Sequence, residues 1–264
     1  MLQEDDVPIK MLITMKNYLR FDRSPARWST GLLLAVVAAL APIGAATAQP
    51  AIPDTIAQRA LACAACHGKE GRATNEGFFP RIAGKPAGYL YNQLVNFRDG
   101  HRQYPMMTYM VDQMSDAYLK ELAGYFAGQH LPYPPPQAPA ATQAQLARGK
   151  QLALSGDASR NVPACIACHG QKLTGVVPAI PGLLGLPRDY LNAQFGSWRN
   201  KTRRTPSPDC MAEIATRLNP EDVSAVSAWL AAQPVPGDSA PAQSLPAKLP
   251  LPCGSVGAID GAAK

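Results

Sequence analysis

The chain has 264 residues, of which 25 are basic and 19 acidic, for a formal net charge of +6. It lacks any basic-aromatic stripe of the kind that follows a phosphate backbone, which excludes a nucleic-acid role. Apolar residues recur at helical spacing and no convincing period-two strand pattern appears, so the expected fold class is all-α.

Residues 1–48 open with a basic stretch containing Lys16, Arg20, Arg23 and Arg27, followed by an apolar run at 31–44 and then Ala46-Thr47-Ala48. This is the layout of a secretory signal peptide cleaved after Ala48. The apolar run is too short to span a bilayer as a helix, although counted through Ala48 it approaches the lower limit and leaves an uncleaved anchor as the alternative. The acidic Glu4, Asp5 and Asp6 are unusual for a signal, which makes Met11 and Met15 alternative starts. The residues after Ala48 hold 20 basic and 15 acidic side chains, net +5.

Residues 49–130 form the first expected domain, opening on Cys63-Ala64-Ala65-Cys66-His67. Two thiols at i and i+3 on a helical turn can form thioethers with the two vinyl groups of one porphyrin, and the histidine that follows can ligate its iron. A lone CxxC would suit a thioredoxin-like redox pair, and two would suit a four-thiolate zinc site, but neither accounts for the adjoining histidine. A Pro80-Arg81-Ile82-Ala83-Gly84 loop, a helix from Ala87 to Phe97, a methionine loop and a closing helix come next. Met106, Met107, Met110 and Met114 are candidates for the second axial position. Met107, 40 residues beyond His67, is preferred, and Met114 reads as core. Ser115 is a good N-cap for the closing helix, whose apolar face carries Leu119, Leu122, Ala123 and Phe126.

The proline-rich segment 131–143 cannot continue a helix and reads as an extended, semi-rigid linker. Residues 144–234 then repeat the first pattern. Cys165-Ile166-Ala167-Cys168-His169 lies 102 positions after the first motif, and Met211 lies 42 after His169. Pro178-Ala179-Ile180-Pro181-Gly182 is aligned with the first Pro/Gly loop, and Tyr190-Leu191 and Gln194 match Tyr89-Leu90 and Gln93. A helix from Arg188 to Trp198, a second methionine loop and a closing helix follow. Asn219 caps that helix, Pro220 suits its first position and Asp222 is placed to return a capping hydrogen bond. The tail 235–264, rich in Pro and Ala, is expected to lie loosely on the surface.

Four of the six cysteines are claimed by thioethers. Cys210 and Cys253 remain and are the disulfide candidate in an oxidising compartment, tying the tail to the second methionine loop. Cys210 as an iron ligand is the alternative, disfavoured because Met211 keeps the register and a neutral thioether raises the potential. Arg199, Lys201, Arg203 and Arg204 form a basic cluster that reads either as a solvated loop or as a docking patch for an acidic redox partner. His101 and His130 are given no role. Tyr89 and Tyr190 are expected to pack beside the haem groups.

The two CxxCHG motifs, the Pro/Gly loops, the Tyr-Leu helices and the methionines seven residues before each closing helix resemble those of two-haem class I cytochromes c of the cytochrome c4 type. The resemblance covers residues 57–129 and 146–233. It implies two tandem cytochrome c domains related by internal duplication, each around one covalently attached haem c. His67 with Met107 and His169 with Met211 would be the axial iron pairs, with the haem propionates near the interdomain face. An iron filled on both sides by protein has no vacancy for substrate, so the expected activity is electron transfer rather than catalysis. The expected setting is the periplasm, with a quinol-oxidising complex or a dehydrogenase as donor and a terminal oxidase as acceptor, and with peripheral membrane association compatible with it. Alternatives are a haem subunit of a dehydrogenase or oxidase complex, or a two-haem redox enzyme with ligand switching.

Overall fold

The computed structural model describes residues 52–73, 78–139 and 141–256. The signal peptide expected at 1–48 and the end of the tail lie outside the described residues. In the first half the helices are α1 (Ile56–Arg59), α2 (Leu61–His67), α3 (Ala87–Arg98), α4 (Pro105–Val111) and α5 (Asp116–Ala127). The second half contributes α6 (Gln143–Leu154), α7 (Ile166–His169), α8 (Arg188–Arg199), α9 (Cys210–Arg217) and α10 (Pro220–Ala231).

The helix starts follow their sequence signals. Ser115 accepts a hydrogen bond from the Tyr118 amide at 3.3 Å, and Asn219 accepts one from the Asp222 amide at 2.7 Å with Pro220 at the first helical position. Leu119, Leu122, Ala123 and Phe126 form the buried face of α5. Each fully buried Leu or Phe contributes about 1.5–3 kcal/mol relative to exposure. Two expectations fail here. Asp222 gives its carboxylate to Arg148 and Arg160 at 2.8 and 2.6 Å instead of to the helix cap. The methionine loops are also helical: Met107 lies within α4, which opens on Pro105, and Met211 within α9, whose Asp209 cap accepts from the Ala212 amide at 3.0 Å.

Helix α6 was not foreseen. Its signals are a capping box between Thr142 and Gln145 and buried Gly149, Leu152 and Ala153 at helical spacing. It crosses α10 so closely that Gly149 faces the Ala225 carbonyl. The halves differ here, because α1, the matching element, is a single turn.

A short antiparallel hairpin, β1 (Gly175–Val176) with β2 (Ile180–Pro181), departs from the expectation of no strands. The tail supports it. Ala242 exchanges backbone hydrogen bonds with Gly175 and Val177, both 2.9 Å, and Val256, Leu245 and Leu249 pack with Val176 and Ile180. The tail is therefore docked through Val256 rather than loose. The linker is also held down: Arg81 donates to the Leu131 and Pro132 carbonyls and stacks 3.9 Å from the Tyr133 ring centroid, while the Gln137 amide donates to Ala231.

Both halves belong to one compact unit that begins at Ile52. Arg102 and Arg203 pair as an antiparallel bridge, with the Gln103 amide donating to Thr202 and the Arg204 amide to His101, both at 2.7 Å. Gly88 of α3 abuts the backbone of Pro178. A Cβ there would sit 2.6 Å from the Pro178 oxygen.

Candidate functional site

Cys63 and Cys66 lie on α2, and His67 ends it; Cys165 precedes α7, which carries Cys168 and His169. Each histidine meets a backbone carbonyl. His67 Nδ1 is 2.9 Å from the Pro80 oxygen and His169 Nδ1 is 2.8 Å from the Pro181 oxygen. A carbonyl only accepts, so each Nδ1 carries the proton and each Nε2 keeps the lone pair a metal takes. Burial lowers the pKa of both rings, outweighing the raising effect of those carbonyls, so the imidazoles are held neutral. The same burial raises the Cys63 and Cys168 thiols and pushes Cys165 up to about 12.

These contacts correct the register of the second Pro/Gly loop. Pro80 matches Pro181, not Pro178, so Pro80-Arg81-Ile82-Ala83-Gly84-Lys85-Pro86 corresponds to Pro181-Gly182-Leu183-Leu184-Gly185-Leu186-Pro187. Gly84 and Gly185 both have positive φ, and Pro86 and Pro187 both stand before a twelve-residue helix. The Pro-x-x-x-G-x-Pro spacing shared by the two segments was the signal that could have shown it.

One cavity of about 670 Å³ runs through both halves, lined by the four cysteines, both histidines, Met107 and Met211. Met106, Met110 and Met114 line it as well. Met107 packs with the Phe97, Val111 and Leu119 cluster, and Met211 packs against the core of the second half. Cys210, next to Met211, is bonded to Cys253.

At the junction of the halves lies a group that sequence reading missed. Arg102 donates to Gln93 at 2.9 Å, to Tyr190 at 3.1 Å and to Gln194 at 2.7 Å. Arg203 donates to Gln194 at 2.7 Å, to Gln93 at 3.0 Å and to Tyr89 at 3.4 Å. Arg203 is only 4% exposed, which removes it from the expected docking patch. Burial first, then the neighbouring Arg102, disfavours its charge. Among the described residues no carboxylate pairs with either guanidinium, and Arg203 Nε has no hydrogen-bond partner. Lys85 is buried as well and donates to the Gly182 carbonyl at 2.9 Å; burial, then Arg81, pushes it down to about 7.

A haem c fits these residues. Its vinyl groups would take the thiol pairs, its iron the free imidazole nitrogens, and its acidic side chains the Arg102 and Arg203 guanidiniums at the junction. The fold and the site define a two-haem, c-type electron-transfer cytochrome.

No protein-family model matches the chain. It is 38% identical over 200 residues to the thiosulfate dehydrogenase electron acceptor of Thiomonas intermedia (strain K12), covering 75% of this chain and 91% of that protein. It is 31% identical over 174 residues to cytochrome c4 of Pseudomonas aeruginosa, covering 65% and 84%. The crystal structure of reduced recombinant cytochrome c4 from Pseudomonas stutzeri superposes with a TM-score of 0.59 at 28% identity, covering 67% of this chain and 96% of that one. The chain belongs to the cytochrome c4 family of two-haem cytochromes c and carries two covalently bound haem c groups.

Proposed function

We propose that this chain is an exported carrier that accepts electrons one at a time from a periplasmic dehydrogenase and delivers them to a terminal oxidase. The observation that carries this reading is the repeated arrangement of a carbonyl-held histidine and a methionine on one cavity. His67 with Met107 and His169 with Met211 are the proposed axial pairs; with both positions filled, bound haem supplies a reversible ferrous–ferric couple and no open site. The chain's own residues fix the imidazole tautomers, exclude water and hold the two halves together. Among the described residues no helix is long and apolar enough to cross a membrane, which is compatible with a carrier released after removal of residues 1–48.

A dehydrogenase oxidising thiosulfate is favoured as donor over a quinol-oxidising complex, because a relative of high coverage bears the name of that enzyme's electron acceptor. The test is stopped-flow reduction of the ferric protein by a thiosulfate dehydrogenase with thiosulfate, with thiosulfate alone as control. Fast reduction only in the presence of the enzyme is the expected result. Turnover of thiosulfate by this chain alone, or high-spin five-coordinate iron at rest, would replace the carrier with the ligand-switching enzyme.

A further inference from the structure

We propose that Lys85, supplied by the first half, is a positioning residue for the second haem, raising its reduction potential so that the electron rests in the second half. This inference rests on the two-haem carrier reading. Lys85 is 5% exposed, and its ammonium donates to Gly182, the residue next to Pro181 whose carbonyl holds His169. At pH 6, where Lys85 is protonated, its charge beside the loop of His169 disfavours ferric iron more than ferrous iron and weakens the electron donation of the imidazole, and both effects raise the potential.

The duplication sharpens the argument. In the corrected register the counterpart of Lys85 is Leu186, a buried core residue, and the counterpart of Arg81 is Gly182. The scaffold therefore accepts an apolar side chain at this position, and burying an ammonium there costs several kcal/mol unless it meets compensating charge. Among the described residues no carboxylate meets Lys85. Arg81, from the same loop, spends its guanidinium on the linker carbonyls and Tyr133. Lys85 is thus the asymmetric cation whose hydrogen-bond acceptor among the described residues lies on the loop of the second histidine.

The experiment is a haem-resolved redox titration at pH 6 of the full haem-loaded chain, with haem methyl NMR signals assigned to each half. Lys85→Met should lower the midpoint of the second haem by a factor of about ten in its equilibrium, about 59 mV for a one-electron couple, and leave the first nearly unmoved. Lys85→Gln should act in the same direction, and Lys85→Arg should restore most of the shift. An unchanged second midpoint, or equal shifts at both haems, overturns the proposal; if Lys85→Met does not fold, Lys85→Gln gives the decision. A pyridine haemochrome count below two haems per chain would instead defeat the carrier reading itself, so the two failures are distinguishable.

Discussion

At the scale of single residues, the histidines were legible from the adjoining cysteines because covalent haem attachment fixes their spacing. Their orientation was not, since Pro80 and Pro181 reach them only after the chain has turned. Methionine ligation can be tested directly. Met107→His and Met211→His should each remove half of the weak long-wavelength absorbance band that marks thioether sulfur on ferric haem, and each should lower one midpoint by on the order of 100 mV or more. If a Met110 variant removes that band instead, α4 presents a different sulfur. The buried cations were the least legible part of the site. Lys85, Arg102 and Arg203 look in sequence like surface charges, and Arg203 stood among neighbours that suggested a basic patch. The pairing of the two halves leaves Lys85 5% and Arg203 4% exposed, with Arg102 partly buried beside them.

Elements add a different kind of constraint. Helices α5 and α10 were legible because a side-chain cap and apolar spacing agree over twelve residues in each, and α3 and α8 because Tyr-Leu and a following Gln recur in both halves. The second Pro/Gly loop was misaligned by three residues, since prolines and a glycine recur within it at two competing offsets. Close crossings are the places where small residues decide the packing. Gly149→Ala would put a Cβ 2.2 Å from the Ala225 oxygen and 2.7 Å from Trp229 Cβ, so α6 and α10 must separate. The expected loss is about 1–3 kcal/mol in denaturant unfolding, and an unchanged midpoint would show that α6 yields freely.

Charge fixes the same helix pair. Burial alone would raise the Asp222 carboxyl, but hydrogen bonds from Arg148 and Arg160 outweigh it and hold the group below the usual carboxylate range. A depressed folded value means that its contribution is complete above the unfolded value of about 3.9 and is lost as pH falls through the folded one. Acid titration monitored at Trp229 should therefore show the second half weakening below about pH 4. Asp222→Asn should blunt that acid sensitivity, the remainder being carried by Asp157, which the same two arginines also hold, and should cost about 1–3 kcal/mol at neutral pH.

For the whole molecule, duplication was plain in the sequence and the joining of the copies was not. The linker suggested separable domains, yet Arg81 holds it to the first half and the Gln137 amide to the second. The bond between Cys210 and Cys253 closes a sequence separation of 43 residues around the second methionine helix. Replacing both cysteines by serine should lower stability by about 3–4 kcal/mol; calorimetry under oxidising conditions would measure it, and an equal melting temperature would mean that tail packing alone suffices.

Gly88 lets α3 lie backbone to backbone against Pro178, and the Arg102–Arg203 bridge fixes the same junction from the other side. Two porphyrins carried by such a frame would be held at one separation by these contacts, and an electron passing between them would not wait on movement of the halves. Thickening the solvent with glycerol would then slow the arrival of partners while leaving the internal hop at its original pace.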